Sequence, residues 1–204
     1  MNFREITHEL KAHIPFTIIG SAIGILTFLI IIYFNLPSSV SRRLFWSLHP
    51  LHVLLSAMAT TSMYRLHSRK RNLLYAVIIG YTGAILIATL SDSIIPYIGE
   101  ILLDLPNKGV HIGFIEKWWL VNPLALTGVA LALLWPKTKF PHTGHVLLST
   151  YSSLFHITMA LGETIQPLTI LIIAVFLFLA VWLPCCTSDV VFPLLFSDEI
   201  RHNH

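Results

Sequence analysis

The chain has 204 residues, of which 55% are apolar and only 11% charged, with a formal net charge of +3. A mean hydropathy of +0.74 excludes an ordinary soluble domain, and basic residues confined to short connections offer no stripe for nucleic acid. This is the composition of an integral membrane protein, whose first partner is the lipid bilayer.

Uncharged runs long enough to cross roughly 30 Å of hydrocarbon, about 20 residues each, fall at 14–34, 44–64, 73–91, 118–135, 143–162 and 164–188. The expected fold is all-α, a polytopic bundle of six transmembrane helices. Residues 1–11 mix acids and bases without a small-residue cleavage site, so they do not read as a signal peptide. The first helix enters at His13-Ile-Pro-Phe16, where Pro15 suits a first turn. Gly20 and Gly24 form a small-xxx-small pair for close helix contact. After a turn at 36–39, Arg42 and Arg43 precede the second helix, which opens with His49-Pro-Leu-His52-Val-Leu-Leu-Ser56 and ends at Tyr64-Arg65. A basic loop with Arg69-Lys70-Arg71 leads to the third helix, predicted to break at Ser91-Asp92-Ser-Ile-Ile-Pro96.

The second half repeats these landmarks in order. His111-Ile-Gly-Phe114 echoes the entry of the first helix, and Trp118-Trp119 suit a lipid interface. The fifth helix carries His142-Thr-Gly-His145-Val-Leu-Leu-Ser149, nearly a copy of 49–56. The sixth ends in Ser188-Asp189 with Pro193 four residues on, echoing Ser91-Asp92 and Pro96. Three collinear matches at nearly constant separation indicate an internal duplication, with repeat 1 at 1–105 and repeat 2 at 106–204. Three helices per unit is an odd number, so the repeats are inverted across the membrane. Arg4, Lys11, Arg65, Arg69, Lys70, Arg71, Lys137, Lys139 and Arg201 collect on one side, against Arg42, Arg43 and Lys108 on the other, with Lys117 at a helix edge. The positive-inside rule then puts both termini in the cytoplasm of a cell-membrane protein.

This topology predicts two mirror-related clusters. His49, His52, Asp92 and His111 gather near the outer face, and His142, His145, Asp189 and His13 near the inner one. Ser56, Ser149, Ser91 and Ser188 stand where they can orient these side chains from behind. Imidazoles with a carboxylate suit a divalent transition metal such as Zn, Fe, Mn, Co or Ni and are poor ligands for Mg or Ca. Thr60, Thr61, Ser152 and Ser153 extend the polar face but read as structural, since such hydroxyls often bond their own i−4 carbonyl. His156 aligns with Met63 and is a weak candidate, while His8, His67, His202 and His204 read as solvated. Cys185 and Cys186 align with Ala88 and Thr89, imply no disulfide framework, and read as structural or auxiliary.

Two polar clusters with hydroxyls between them fit an ion path. The leading expectation is therefore a divalent metal-ion transporter exchanging protons for metal, with homo-oligomerisation left open. The alternative is an enzyme, a membrane-embedded metal-dependent hydrolase. Zinc hydrolases of membranes use a Ser, an Asp and three His, although the order and spacing here do not follow theirs. A third reading is haem binding, because His49-Pro50 and Tyr64-Arg65 on one helix resemble di-haem membrane cytochromes.

Overall fold

A computed structural model describes residues 3–68, 72–136, 139–162, 166–186 and 191–196. Among these residues all regular secondary structure is helical, with no strand. Helix α1 covers Phe3–Tyr33, α2 Ser38–His67 and α3 Leu73–Thr89. A π-helical segment, Leu90–Ile94, joins α3 to α4, Ile95–Leu102. Then come the short α5 at Gly113–Glu116, α6 at Trp118–Leu134, α7 at Lys139–Ala160, α8 at Pro167–Cys186 and the short α9 at Phe192–Leu195.

Each apolar run read from the sequence falls on a helix, but two boundaries differ in ways that matter. Helix α2 starts at Ser38, after the extended Pro37, so His49 and His52 lie deep in the helix and not in its first turns. Hydropathy marks the apolar part of a helix. Arg42 and Arg43 are exposed, and helix tolerates them there because their heads stay in solvent. The expected break at 91–96 is also absent. The helix runs on through a π turn, where the N–H of Ile95 bonds the carbonyl of Leu90. Pro96 has no N–H to give to the carbonyls one turn back. The carbonyl of Ser91 instead accepts the hydroxyl of Ser153 at 2.9 Å, which settles a buried acceptor that would otherwise stand open.

The continuous helical run Leu73–Leu102 is long and apolar enough to cross a membrane. Ile18–Tyr33, Trp118–Leu134 and Leu168–Trp182 are apolar but shorter. At the centre α2 packs against α7, α6 and α3, while α1 and α8 lie against α7. Helices α2 and α7 run antiparallel, since the ring of His52 meets His145 while that of Phe45 meets His156. Glycines permit the closest approaches. A Cβ on Gly128 of α6 would stand 2.2 Å from the Leu54 carbonyl oxygen of α2, and one on Gly24 would stand 2.6 Å from the Thr150 side chain of α7.

Polarity is distributed inside out. Ile19, Leu26, Leu73, Trp118, Leu168 and Leu171 are exposed, whereas His52, Thr60, Asp92, His145, Ser152 and Ser153 are fully buried. The loop after α4 turns at Asp104, which takes a positive φ of 48°. There the Lys108 ammonium holds the Asp104 carboxyl below the usual carboxylate range.

Candidate metal centre

Helical spacing places His49 and His52 on one face of α2, and that face meets the π segment. The wide π turn carries Ser91, Asp92 and Ser93, all fully buried. Asp92 Oδ2 lies 2.9 Å from His49 Nδ1 and 2.7 Å from His52 Nδ1. Its other oxygen, Oδ1, accepts Ser91 Oγ at 2.6 Å and Ser149 Oγ at 3.2 Å. A carboxylate surrounded by donors only accepts, so both Nδ1 atoms carry the hydrogen. In its neutral form each ring presents the lone pair of Nε2. Those of His49 and His52 are buried and have no hydrogen-bond partner among the described residues. A polar atom buried in this state costs about 1–3 kcal/mol, and an absent ion or water is its ordinary explanation.

Three neighbours hold the rings in place. Phe45 stacks on His49 at 5.3 Å between centroids, and Gly113 closes against that ring so tightly that a Cβ would stand 2.2 Å from Nε2. On the other side His145, fully buried, stacks on His52 at 4.8 Å. His49, His52 and Asp92 each offer one ligand atom within 4.8 Å of the others. A metal ion can be held by this group, and carboxylate-to-imidazole bonds of this kind orient histidine ligands in metal sites.

The predicted residues therefore assemble differently from the two separate clusters. Ser149 of the second motif reaches the same carboxylate as His49 and His52 of the first, and His145 stacks on His52, so side chains of both motifs meet around Asp92. The hydroxyl of Ser91 reaches Asp92, as does that of Ser149, which was expected beside the other cluster, and Ser56 is buried on the same helix as His49 and His52. His111 does not join Asp92. It lies in the loop before α5, with Nδ1 3.3 Å from Glu116 Oε2, and only its backbone carbonyl reaches the π segment, through the hydroxyl of Ser93. The side chains of His13 and His142, and residues Ser188 and Asp189, lie outside the described residues.

A second polar pair was missed. Glu100, buried at the end of the long helix, accepts His156 Nδ1 at 2.8 Å and the N–H of Gly109 at 3.0 Å. The signal was present as an acid within an apolar run, where ionisable groups are costly and seldom incidental. Ending the third helix at Pro96 hid it, and aligning His156 with Met63 hid its partner. No protein-family model matches the chain, and no curated protein or solved structure does either.

Proposed function

We propose that the chain is an integral membrane transporter of a divalent transition-metal ion, made of six spanning helices in two inverted halves, with one central site between them. The observation that carries this reading is the meeting of both histidine motifs around Asp92, His49 and His52 from one and Ser149 from the other, with the Nε2 atoms of His49 and His52 buried and without a partner among the described residues. A centre shared by two antiparallel, motif-matched helices is what a pseudo-two-fold axis in the membrane plane produces. The apolar exterior and polar interior support the bilayer setting.

His49, His52 and His145 would hold the ion. Asp92 fixes the first two rings through Nδ1 and supplies the nearby negative charge. A nitrogen-rich set with a carboxylate suits Zn, Fe, Mn, Co or Ni. Since ligating imidazoles must be neutral, loading the site from a protonated state releases protons, which couples metal movement to a proton gradient. Rocking of the two halves about the centre would open it to one face and then the other. Flux of Zn²⁺, Fe²⁺ and Mn²⁺ into proteoliposomes tests this reading. The expected result is flux above empty liposomes that disappears in His52→Ala with His145→Ala. Flux no greater than in empty liposomes, or unchanged in that double variant, overturns it.

The hydrolase reading draws support from Ser149 and the imidazoles around one carboxylate. Against it, His49, His52, Asp92 and His145 are at most 1% exposed, so no face of the centre lies open to an acyl chain. Turnover of a lipid ester or amide by purified protein would favour it. A haem does not fit between His52 and His145, because rings stacked at 4.8 Å leave no space for a porphyrin with an axial imidazole on each side.

A further inference from the structure

We infer that His156 and His111, backed by Glu100, form a second and weaker binding site for a divalent transition metal, in a cavity outside the Asp92 centre. The inference takes from the proposed function only the class of ion. A cavity of about 180 Å³ lies between α2, α4, the loop before α5 and α7, lined by Arg42, Glu100, Gly109, His111 and His156 among others. That volume holds several waters, at about 30 Å³ each in the liquid, and so holds a partly hydrated cation.

The donor set repeats the arrangement at Asp92. Glu100 takes His156 Nδ1 at 2.8 Å and is itself steadied by the N–H of Gly109 at 3.0 Å. With Glu100 accepting, His156 carries its hydrogen on Nδ1, and its buried Nε2 has no hydrogen-bond partner among the described residues. His111 brings a second imidazole, with ring centroids 5.4 Å apart. Two imidazoles on one tetrahedral ion, with bonds of about 2.0–2.1 Å, keep their rings at about that separation. His111 Nε2 faces Gly109, where a Cβ would stand 3.6 Å away.

Arg42 supplies the opposing term. Arg42 is exposed and lines the same cavity, and a positive charge on this wall opposes a cation. Hence the site binds more weakly than the Asp92 centre and exchanges with solvent. Phe45 separates the two places, stacked on His49 at 5.3 Å and edge-on to His156 at 5.3 Å. An ion held at His156 needs only displacement of that ring to reach His49.

Titration of the full chain in detergent micelles with Co²⁺, read by visible absorption, tests the site. Two classes of bound Co²⁺ are expected, one tight and one weak. Glu100→Gln should weaken the second class about 10–100-fold, as loss of an orienting partner does in metal sites, and His156→Ala should abolish it. Arg42→Ala should strengthen it, which a merely structural role of the cluster would not predict. His111 is partly exposed, so His111→Ala is the variant that decides if His156→Ala does not fold. A single class of Co²⁺ in the wild type, or a weak class unchanged in His111→Ala and Glu100→Gln, overturns the inference. Two Co²⁺ classes with no metal flux would instead sink the transport reading and leave this site standing.

Discussion

Asp92 and Glu100 lie on one continuous helix, about two turns apart, and each holds histidine Nδ1 atoms while leaving Nε2 for something else. Their surroundings differ. Asp92 accepts from two imidazoles and two serine hydroxyls contributed by α2, the π segment and α7, and aromatic rings and a glycine close the space around it. Glu100 accepts from one imidazole and one backbone amide and borders a cavity shared with Arg42. The same carboxylate-to-imidazole bond thus serves a closed centre in one place and an accessible one in the other. What separates them is how many elements converge. Three helical elements around Asp92 exclude solvent, whereas a loop forms one wall at Glu100.

The largest expected effect comes from removing the acceptor itself. Asp92→Ala strands two imidazole N–H groups and two hydroxyls in a buried site. At about 1–3 kcal/mol for each unsatisfied group, the variant should lose well over 3 kcal/mol, about the scale of a whole protein's margin. Thermal unfolding in detergent should show a strongly lowered midpoint, with the tight Co²⁺ class gone. A stable Asp92→Ala protein retaining tight metal would mean that the two centres do not differ as described.

Gly113→Ala acts on the closed centre alone. The new Cβ would stand 2.2 Å from His49 Nε2 and 2.5 Å from its Cδ2, at the edge of a ring on which Phe45 already stacks. Overpacking of this kind costs about 1–3 kcal/mol. The tight Co²⁺ class should weaken while the weak class stays, a split that equilibrium titration resolves directly. Equal weakening of both would show that the centres are not separable.

Ser149→Ala is the gentlest of the three. It removes one of two donors to Asp92 Oδ1 and leaves Ser91 in place, for about 0.5–1.5 kcal/mol. Metal affinity at the closed centre should fall by about tenfold, as for other orienting partners, with little change in unfolding temperature. An unchanged affinity would remove α7 from the orienting set and reduce the meeting of the two motifs to simple proximity.

Helix content, the positions of the apolar runs and the setting of His49, His52, Asp92, His145 and Ser149 as polar residues in apolar helices were all legible in the chain. Composition and periodicity depend on local sequence, and a duplicated motif needs no coordinates to be seen. The partnership between the motifs was not legible. It depends on α2 beginning at Ser38, which carries His49 and His52 to the depth that His145 reaches from the antiparallel α7. Hydropathy cannot report that boundary, because charged residues extend a helix into solvent without ending it. Nor does the sequence reveal that Pro96 is absorbed by a π turn. That outcome needed Ser153, distant along the chain, to answer the freed carbonyl of Ser91, and by keeping the helix intact it brought Glu100 to His156. In both cases the deciding contact joins residues far apart in sequence, where only packing sets the register.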